Sequence, residues 1–309
     1  MGDEDPLAYH RDSHGKIAVE GKVPVETEAD MSLAYTPGVA EPSRAIADDP
    51  AAVYDYTVKG EMAGILSDGS AVLGLGDIGP EAAIPVMEGK ALLIRELADV
   101  SAFPLVVDTD GTDDLIATGE RLHPMLGFLM LEDISSPACF EVEERLKEEL
   151  DIPVFHDDQH GAAIAVLAGL RNAFRITDRD VADADIVVIG AGAAGIATAD
   201  LLLAAGAGDV TLVDTPGIIH GGMDLPPHQH DIADRTNPDR TEGDLADALD
   251  GADACIGLST GGIVSKEMVR SMADDPVVFA MANPDPEIPY PDAVDAGAAV
   301  AGTGRSDFP

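Results

Sequence analysis

The chain has 309 residues, 46% of them apolar and 4% aromatic, with no Trp. That exceeds the usual size of one domain and supplies aliphatic material for two cores. Eighteen basic against 58 acidic residues leave a net charge of −40, a surface that repels phosphate backbones and anionic headgroups and so excludes nucleic-acid and membrane partners.

This apolar content is not that of a disordered acidic chain. We read the charge as that of a folded halophile protein, whose self-repulsion is screened at molar salt, where the Debye length is about 3 Å. The two cysteines, Cys139 and Cys255, form neither a disulfide framework nor a zinc-binding spacing. Neither a secretory leader nor an apolar run of about 18 residues occurs, so the expected location is the cytoplasm.

Residues 1 to about 30 are polar, with at most one short strand at Ile17 to Val19. Tyr35 precedes a Thr-Pro-Gly turn and on local grounds is a half-buried packing residue. From Tyr56 the pattern turns to strands. Ser67-Asp68-Gly69-Ser70 predicts a hairpin turn between the apolar runs Met62 to Leu66 and Ala71 to Leu75. Gly74, Gly76 and Gly79 match G-x-G-x-x-G, but Pro80 follows directly. The next strand-end acid, Asp108, lies 34 positions beyond Gly74 (108 − 74), against the roughly 20 of a dinucleotide site. This stretch is therefore a tight turn. In the helix that follows, Lys90 stands among Met87, Leu92 and Ile94 and is one of only six lysines. It is either a snorkelling residue at a core edge or a desolvated base.

Three apolar runs then end in acids: FPLVV at Asp108, GFLMLE at Glu132-Asp133 and IPVFH at Asp157-Asp158. Strand and helix alternate, which predicts a parallel sheet with its ligand edge at the strand carboxyl ends. Glu132, Asp133 and Asp158 would lie on that edge as three oxygen ligands suited to Mg²⁺ or Mn²⁺. The adjacent Asp157 and Asp158 repel each other unless a cation is near, although one of them serving only as a helix N-cap is an open alternative. The DTDGTD run at Asp108 fails as a calcium loop, since Asp113 and Gly119 stand where Gly and Glu are needed.

The second half opens on a dinucleotide pattern in its proper context. A buried strand, Ile186 to Ile189, leads into Gly190, Gly192 and Gly195, with Ala193 and Ala194 opening an Ala-rich helix. A second strand then ends in Asp214, 24 positions beyond Gly190 (214 − 190). The glycines admit a pyrophosphate to the helix N-terminus and Asp214 suits a ribose hydroxyl, which leans towards NAD over NADP. Two later strands, Ala254 to Leu258 and Val277 to Met281, deliver turns at Ser259 and Asn283 where nicotinamide and substrate should meet. The expected architecture is α/β: a catalytic and metal domain with a mostly parallel sheet over 1–160, then a Rossmann-like, doubly wound NAD(P)-binding domain over 161–309.

The stretches AYTPGVAEP, GLGDIGPEAAIPVMEGK, GFLMLEDISSP, VFHDDQHGAAIAVLAGL, VVIGAGAAGIATADLL and MANPDPEI, in this order, closely resemble malic enzyme, in particular its compact prokaryotic type. The resemblance implies oxidative decarboxylation of malate to pyruvate with NAD(P) and Mg²⁺ or Mn²⁺. It implies Tyr35 as general acid, Lys90 as general base, Asp157 as partner of that lysine, Glu132, Asp133 and Asp158 as metal ligands, and Asn283 as a substrate-contacting amide. A base at Lys90 requires its pKa to fall by roughly 2–3 units from about 10.4. We expect a homodimer or higher homo-oligomer.

Two departures stand out. Ser70 and Ala71 occupy the place of an arginine found in larger relatives, leaving Arg305 as a candidate for the substrate carboxylate. Relatives also continue past SDFP, so the chain is expected to be shortened at its C-terminus. The competing expectations are a metal-independent amino-acid dehydrogenase and a dinucleotide-sensing protein without turnover.

Overall fold

The structure is a computed structural model describing residues 5–72 and 74–305. Four short helices come first: α1 (Pro6–Ser13), α2 (Glu28–Ala34), α3 (Ala40–Asp48) and α4 (Val53–Tyr56). None of them buries a single residue. Ile17 to Val19 form no strand; Ile17 packs instead against the helix that bears Lys90.

The first sheet has strands β1 (Met62–Ser67), β2 (Ser101–Val106), β3 (Phe128–Leu131) and β4 (Val154–His156), in the order β2-β1-β3-β4 and all parallel. Its helices are α5 (Pro80–Ala98), α6 (Thr112–Leu122) and α7 (Ala138–Glu149). Successive residues of β1 face opposite sides, as the two-residue period requires. Ile65 packs with Met87 and Ala91 of α5, and Leu66 packs with Leu115 of α6 and Leu146 of α7. Pro80 suits the first turn of α5, where its missing N–H has no partner to lose.

The predicted hairpin is absent. β1 is interior to its sheet, with β2 on one edge and β3 on the other, so the Ala71–Leu75 run has no edge to join. Among the described residues it makes only a bridge from Val72 to Gly76, while Ala71 N donates to the Asp133 carbonyl at 3.0 Å. The loop thus closes onto the acidic turn after β3.

α8 (Asp157–Ile176) leaves β4 and runs into the second half, where Val166, Leu170 and Phe174 join the next core. Strands β5 (Asp185–Ile189), β6 (Asp209–Asp214), β7 (Gly217–Ile218), β8 (Ala254–Gly257), β9 (Val277–Ala280) and β10 (Val300–Thr303) form a sheet ordered β10-β9-β8-β5-β6-β7. All its pairs are parallel except the β6–β7 return. Helices α9 (Ala193–Ala204), α10 (Pro227–Arg235), α11 (Leu245–Leu249), α12 (Lys266–Ser271) and α13 (Tyr290–Ala296) complete it.

β5 reads as a continuous apolar run because both its faces are covered. Ile186 and Val188 meet α8 and α9, whereas Val187 and Ile189 meet Leu249, Val269 and Ala293 of α11, α12 and α13. This is the doubly wound α/β arrangement expected, with the strand order reversing between β5 and β8. Both cysteines are buried and free. Among the described residues no helix is long and apolar enough to cross a membrane.

Candidate active site

Four carboxylates gather at the carboxyl ends of β3 and β4. Glu132 and Asp133 follow β3, and Asp157 and Asp158 open α8 directly after β4. Neither aspartate caps that helix: His156 holds the N-cap position, without a side-chain cap bond. Both sit in the first turn, where negative charge complements the helix dipole. Asp158 Oδ2 accepts from Asp133 N at 2.8 Å, which ties the two acidic turns together.

Glu132, Asp133 and Asp158 each offer an oxygen, and the three lie within 4.8 Å of one another. Glu132 and Asp133 are buried, and Glu132 Oε2 has no hydrogen-bond partner among the described residues. Burial pushes the Glu132 carboxyl up to about 8, and the charges of Asp158 and Asp157 act in the same direction, against the pull of Lys90. An all-oxygen set with two buried members, a half-buried third and an orphaned acceptor fits a hard divalent cation.

Lys90 reaches this cluster from α5. Its Nζ donates to Asp157 Oδ2 at 2.6 Å and lies 3.0 Å from Glu132 Oε1, with a quarter of the side chain exposed. Burial acts to lower its pKa, but Glu132 and Asp157 outweigh burial, and the net direction is upward. The chain's own charges therefore hold the amine protonated, opposite to the fall a base requires. The sequence reading counted the desolvation and, from the resemblance, took Asp157 as the lysine's partner; the second carboxylate, Glu132, is brought to it only by the fold.

Behind the acids lies a polar network invisible in the sequence. Glu143 of α7 is buried and accepts from His156 N at 3.0 Å, from His160 Nε2 at 2.8 Å and from Lys147 Nζ at 2.8 Å. Burial would raise its pKa, but the bonds from His160 and Lys147 prevail and depress it to about 2. Glu143 thus holds the backbone of His156 and the ring of His160, on either side of Asp157 and Asp158. The His156 ring is fully buried and its pKa is lowered by that burial.

Tyr35 stands at the C-cap of α2, 70% exposed. Its hydroxyl bonds to nothing among the described residues, so the fold does not bring it to Lys90 by any hydrogen bond. Ser70 Oγ donates to Asp68 Oδ1 at 2.6 Å and accepts from Ser135 N at 2.9 Å, in the loop that covers the acidic turn.

In the second sheet the glycine turn follows β5. At Gly195 a Cβ would lie 1.7 Å from the Gly190 carbonyl oxygen, so only glycine lets α9 start so close to the strand. Above Gly192 the space is open, and Ala193 and Ala194 form the first turn of α9. Asp214, at the end of β6, accepts from Ala191 N and from Gln229 Nε2, each at 3.3 Å. Gln229 Nε2 also lies 3.0 Å from the Ala191 carbonyl. It comes from α10, and no local pattern in the sequence singles it out. Ser259 and Asn283 line one cavity of about 650 Å³ with Thr260, Gly261 and Pro284. Arg305 Nη1 donates to the Pro284 carbonyl on its rim at 2.8 Å.

Two family models match the chain: malic enzyme N-terminal domain over residues 14–117 and malic enzyme NAD binding domain over residues 159–294. A bifunctional malic/malolactic enzyme of Bacillus subtilis is 50% identical over 99% of this chain and 75% of its own length. The chain belongs to the malic enzyme family. An NAD-dependent malic enzyme of Geobacillus stearothermophilus is 52% identical over 96% of this chain, which spans 62% of that relative. The NADP-dependent malic enzyme of Rhizobium meliloti is 48% identical, and the chain spans 40% of it. Among solved structures, the NAD-dependent malic enzyme of Thermotoga maritima superposes with a TM-score of 0.96 at 45% identity, covering 99% of this chain and 82% of that one. The malic enzyme of Pyrococcus horikoshii gives 0.93 at 44%, covering 96% and 71%. Membership of the malic enzyme family accounts for both halves of the fold at once, an acidic parallel sheet followed by a dinucleotide sheet.

Proposed function

We propose that the chain catalyses the NAD(P)-dependent oxidative decarboxylation of (S)-malate to pyruvate and CO₂, with Mg²⁺ or Mn²⁺. The observation that carries this reading is Lys90 held by Asp157 and Glu132 beside three convergent carboxylates. We assign residues 1–160 to the catalytic and metal domain and 161–309 to the dinucleotide domain.

In this reading Lys90 removes the proton of the C2 hydroxyl and Asp157 orients its amine. Glu132, when it serves as a metal ligand, gives up part of its pull on Lys90, the direction a base requires. Tyr35 protonates C3. A cation held by Glu132, Asp133 and Asp158 would supply Lewis-acid stabilisation of charge developing on the substrate oxygens, and the dinucleotide would supply the hydride acceptor. Gly190, Gly192, Ala193, Ala194 and Gly195 receive the pyrophosphate, Asp214 a ribose hydroxyl, and Ser259 and Asn283 the nicotinamide end. A carboxylate at position 214 favours NAD over a 2′-phosphate.

We assign a homodimer or higher homo-oligomer, because eleven large apolar side chains between Leu7 and Tyr56 are exposed on a segment that buries none of its own helical residues. A cytoplasmic, high-salt setting suits the net charge of −40. The decisive experiment is malate-dependent NAD(P)H formation with Mn²⁺ in molar KCl, run with NAD⁺ and NADP⁺ in parallel. Reduction with an amino acid but none with malate would overturn the reading.

A further inference from the structure

The glutamate of the MANPDPEI stretch is unaccounted for by the chemistry above. Glu287 is 1% exposed. Its Oε1 accepts from Ser259 N at 2.9 Å and its Oε2 from Ala282 N at 3.1 Å. Those N–H groups belong to two different turns, the one after β8 and the one after β9. No Lys or Arg pairs with the carboxylate among the described residues, so its acceptor demand is met from the backbone.

The surrounding chain is shaped to admit it. Gly257, the last residue of β8, faces the carboxylate so closely that a Cβ there would lie 2.3 Å from the carboxyl carbon and 2.6 and 2.7 Å from its oxygens. Glycine alone leaves that room. The Glu287 carbonyl accepts from Val264 N and the Pro286 carbonyl from Gly262 N, each at 3.0 Å, which stitches the same segment to the far side of the β8 turn.

What these turns enclose gives the arrangement its purpose. Ser259 and Asn283 line the 650 Å³ cavity at the strand carboxyl ends, next to the point where the strand order reverses between β5 and β8. Leu258 N donates to the Ile189 carbonyl at 2.8 Å, so the β8 turn begins against the residue that precedes the glycine turn. Ligands of doubly wound sheets bind in this crevice.

We propose that Glu287 is a positioning residue that locks the β8 and β9 turns at a fixed separation, so that the nicotinamide end of the dinucleotide and the substrate meet in register. The proposal rests on the dinucleotide reading of the second sheet. Only a carboxylate presents two equivalent acceptors at this spacing. Glutamine keeps the volume but turns an N–H₂ towards one of the two backbone donors, which frees one turn.

The test compares wild type with Glu287→Gln in molar KCl, with folding checked by circular dichroism. Two readouts are taken: NADH affinity from the fluorescence of the bound nucleotide, and the primary deuterium isotope effect on oxidation of malate deuterated at C2. Loss of one hydrogen bond to a charged group should weaken NADH binding about tenfold. Misalignment should make hydride transfer more rate-limiting and raise the isotope effect. A variant with a lowered melting temperature but wild-type NADH affinity and isotope effect would overturn the proposal and leave Glu287 a structural residue. Where Glu287→Gln does not fold, Glu287→Asp, which keeps the charge but is one methylene short, carries the same two readouts. A wild type that binds NADH without oxidising malate would instead sink the malate reading, and the NADH titration alone would then judge Glu287.

Discussion

Lys90 and Asp157, 67 positions apart in the chain, meet at 2.6 Å from Nζ to Oδ2. The contact joins α5 to the first turn of α8 across the carboxyl edge of the first sheet. Charge-assisted bonds of this length are strong and directional. Asp157 thereby aims the amine as well as neutralising it. Asp157→Asn should lower kcat by about 100-fold, the scale of a disturbed general base. Mn²⁺ affinity, read by electron paramagnetic resonance, should stay at its wild-type value, because Asp157 lies outside the three-carboxylate set. A parallel loss of Mn²⁺ binding would place Asp157 among the ligands instead.

Asp158 has the opposite expectation. It contributes an oxygen to the convergent set and accepts from Asp133 N. Asp158→Ala should abolish metal-dependent turnover, while NADH still binds the second sheet with wild-type affinity. A chelator should reproduce the same loss in the wild type, and added Mn²⁺ should reverse it. Wild-type Mn²⁺ dependence in the variant would remove Asp158 from the site.

Glu143 makes a prediction in pH. Its folded pKa is about 2 against an ordinary 4.5. The stabilisation is fully present above about pH 4.5 and is lost as the pH falls towards 2. A shift of that size in a buried carboxylate corresponds to about 3 kcal/mol. Chemical denaturation of wild type and Glu143→Gln at fixed salt should therefore show the widest gap near neutrality and a narrowing gap below pH 4.5. A gap independent of pH would show that the loss is one of packing.

Salt supplies a fourth test. With a net charge of −40, self-repulsion should dominate at low ionic strength and be screened at molar salt, where the Debye length is about 3 Å. Calorimetry should give a higher melting temperature in molar KCl than in dilute buffer. A melting temperature that is flat across that range would remove the high-salt reading of the composition.

Several features of the molecule were legible without coordinates, and each is written in short-range pattern. Apolar runs ending in acids placed β3 and β4 and the carboxylates after them. The glycine spacing after Ile189, with its helix and its acid at Asp214, marked the tight strand-to-helix turn after β5, because close backbone approach demands glycine at that spacing whatever surrounds it. The hairpin failed because whether an apolar run becomes a strand depends on a free sheet edge, and β1 had none to offer. For Lys90 the local sequence showed only apolar neighbours and the resemblance supplied Asp157; Glu132, whose charge also pulls the amine's pKa upward, arrives from another element. Glu143, Gln229 and Glu287 left no local trace, since each one's role is set by backbone N–H groups and side chains that other segments deliver to it.

The sequence by itself thus determined which elements form and where the acids, the lysine and the glycines stand along them, since helix, strand and turn preferences act over a few residues. The tertiary structure alone decided the strand order, the closeness of the three carboxylates, within 4.8 Å of one another, and the placing of Glu132 against Lys90. Those follow from burying both faces of two sheets, a constraint that acts between segments far apart in the chain and sets the charge state of each group through the neighbours it acquires.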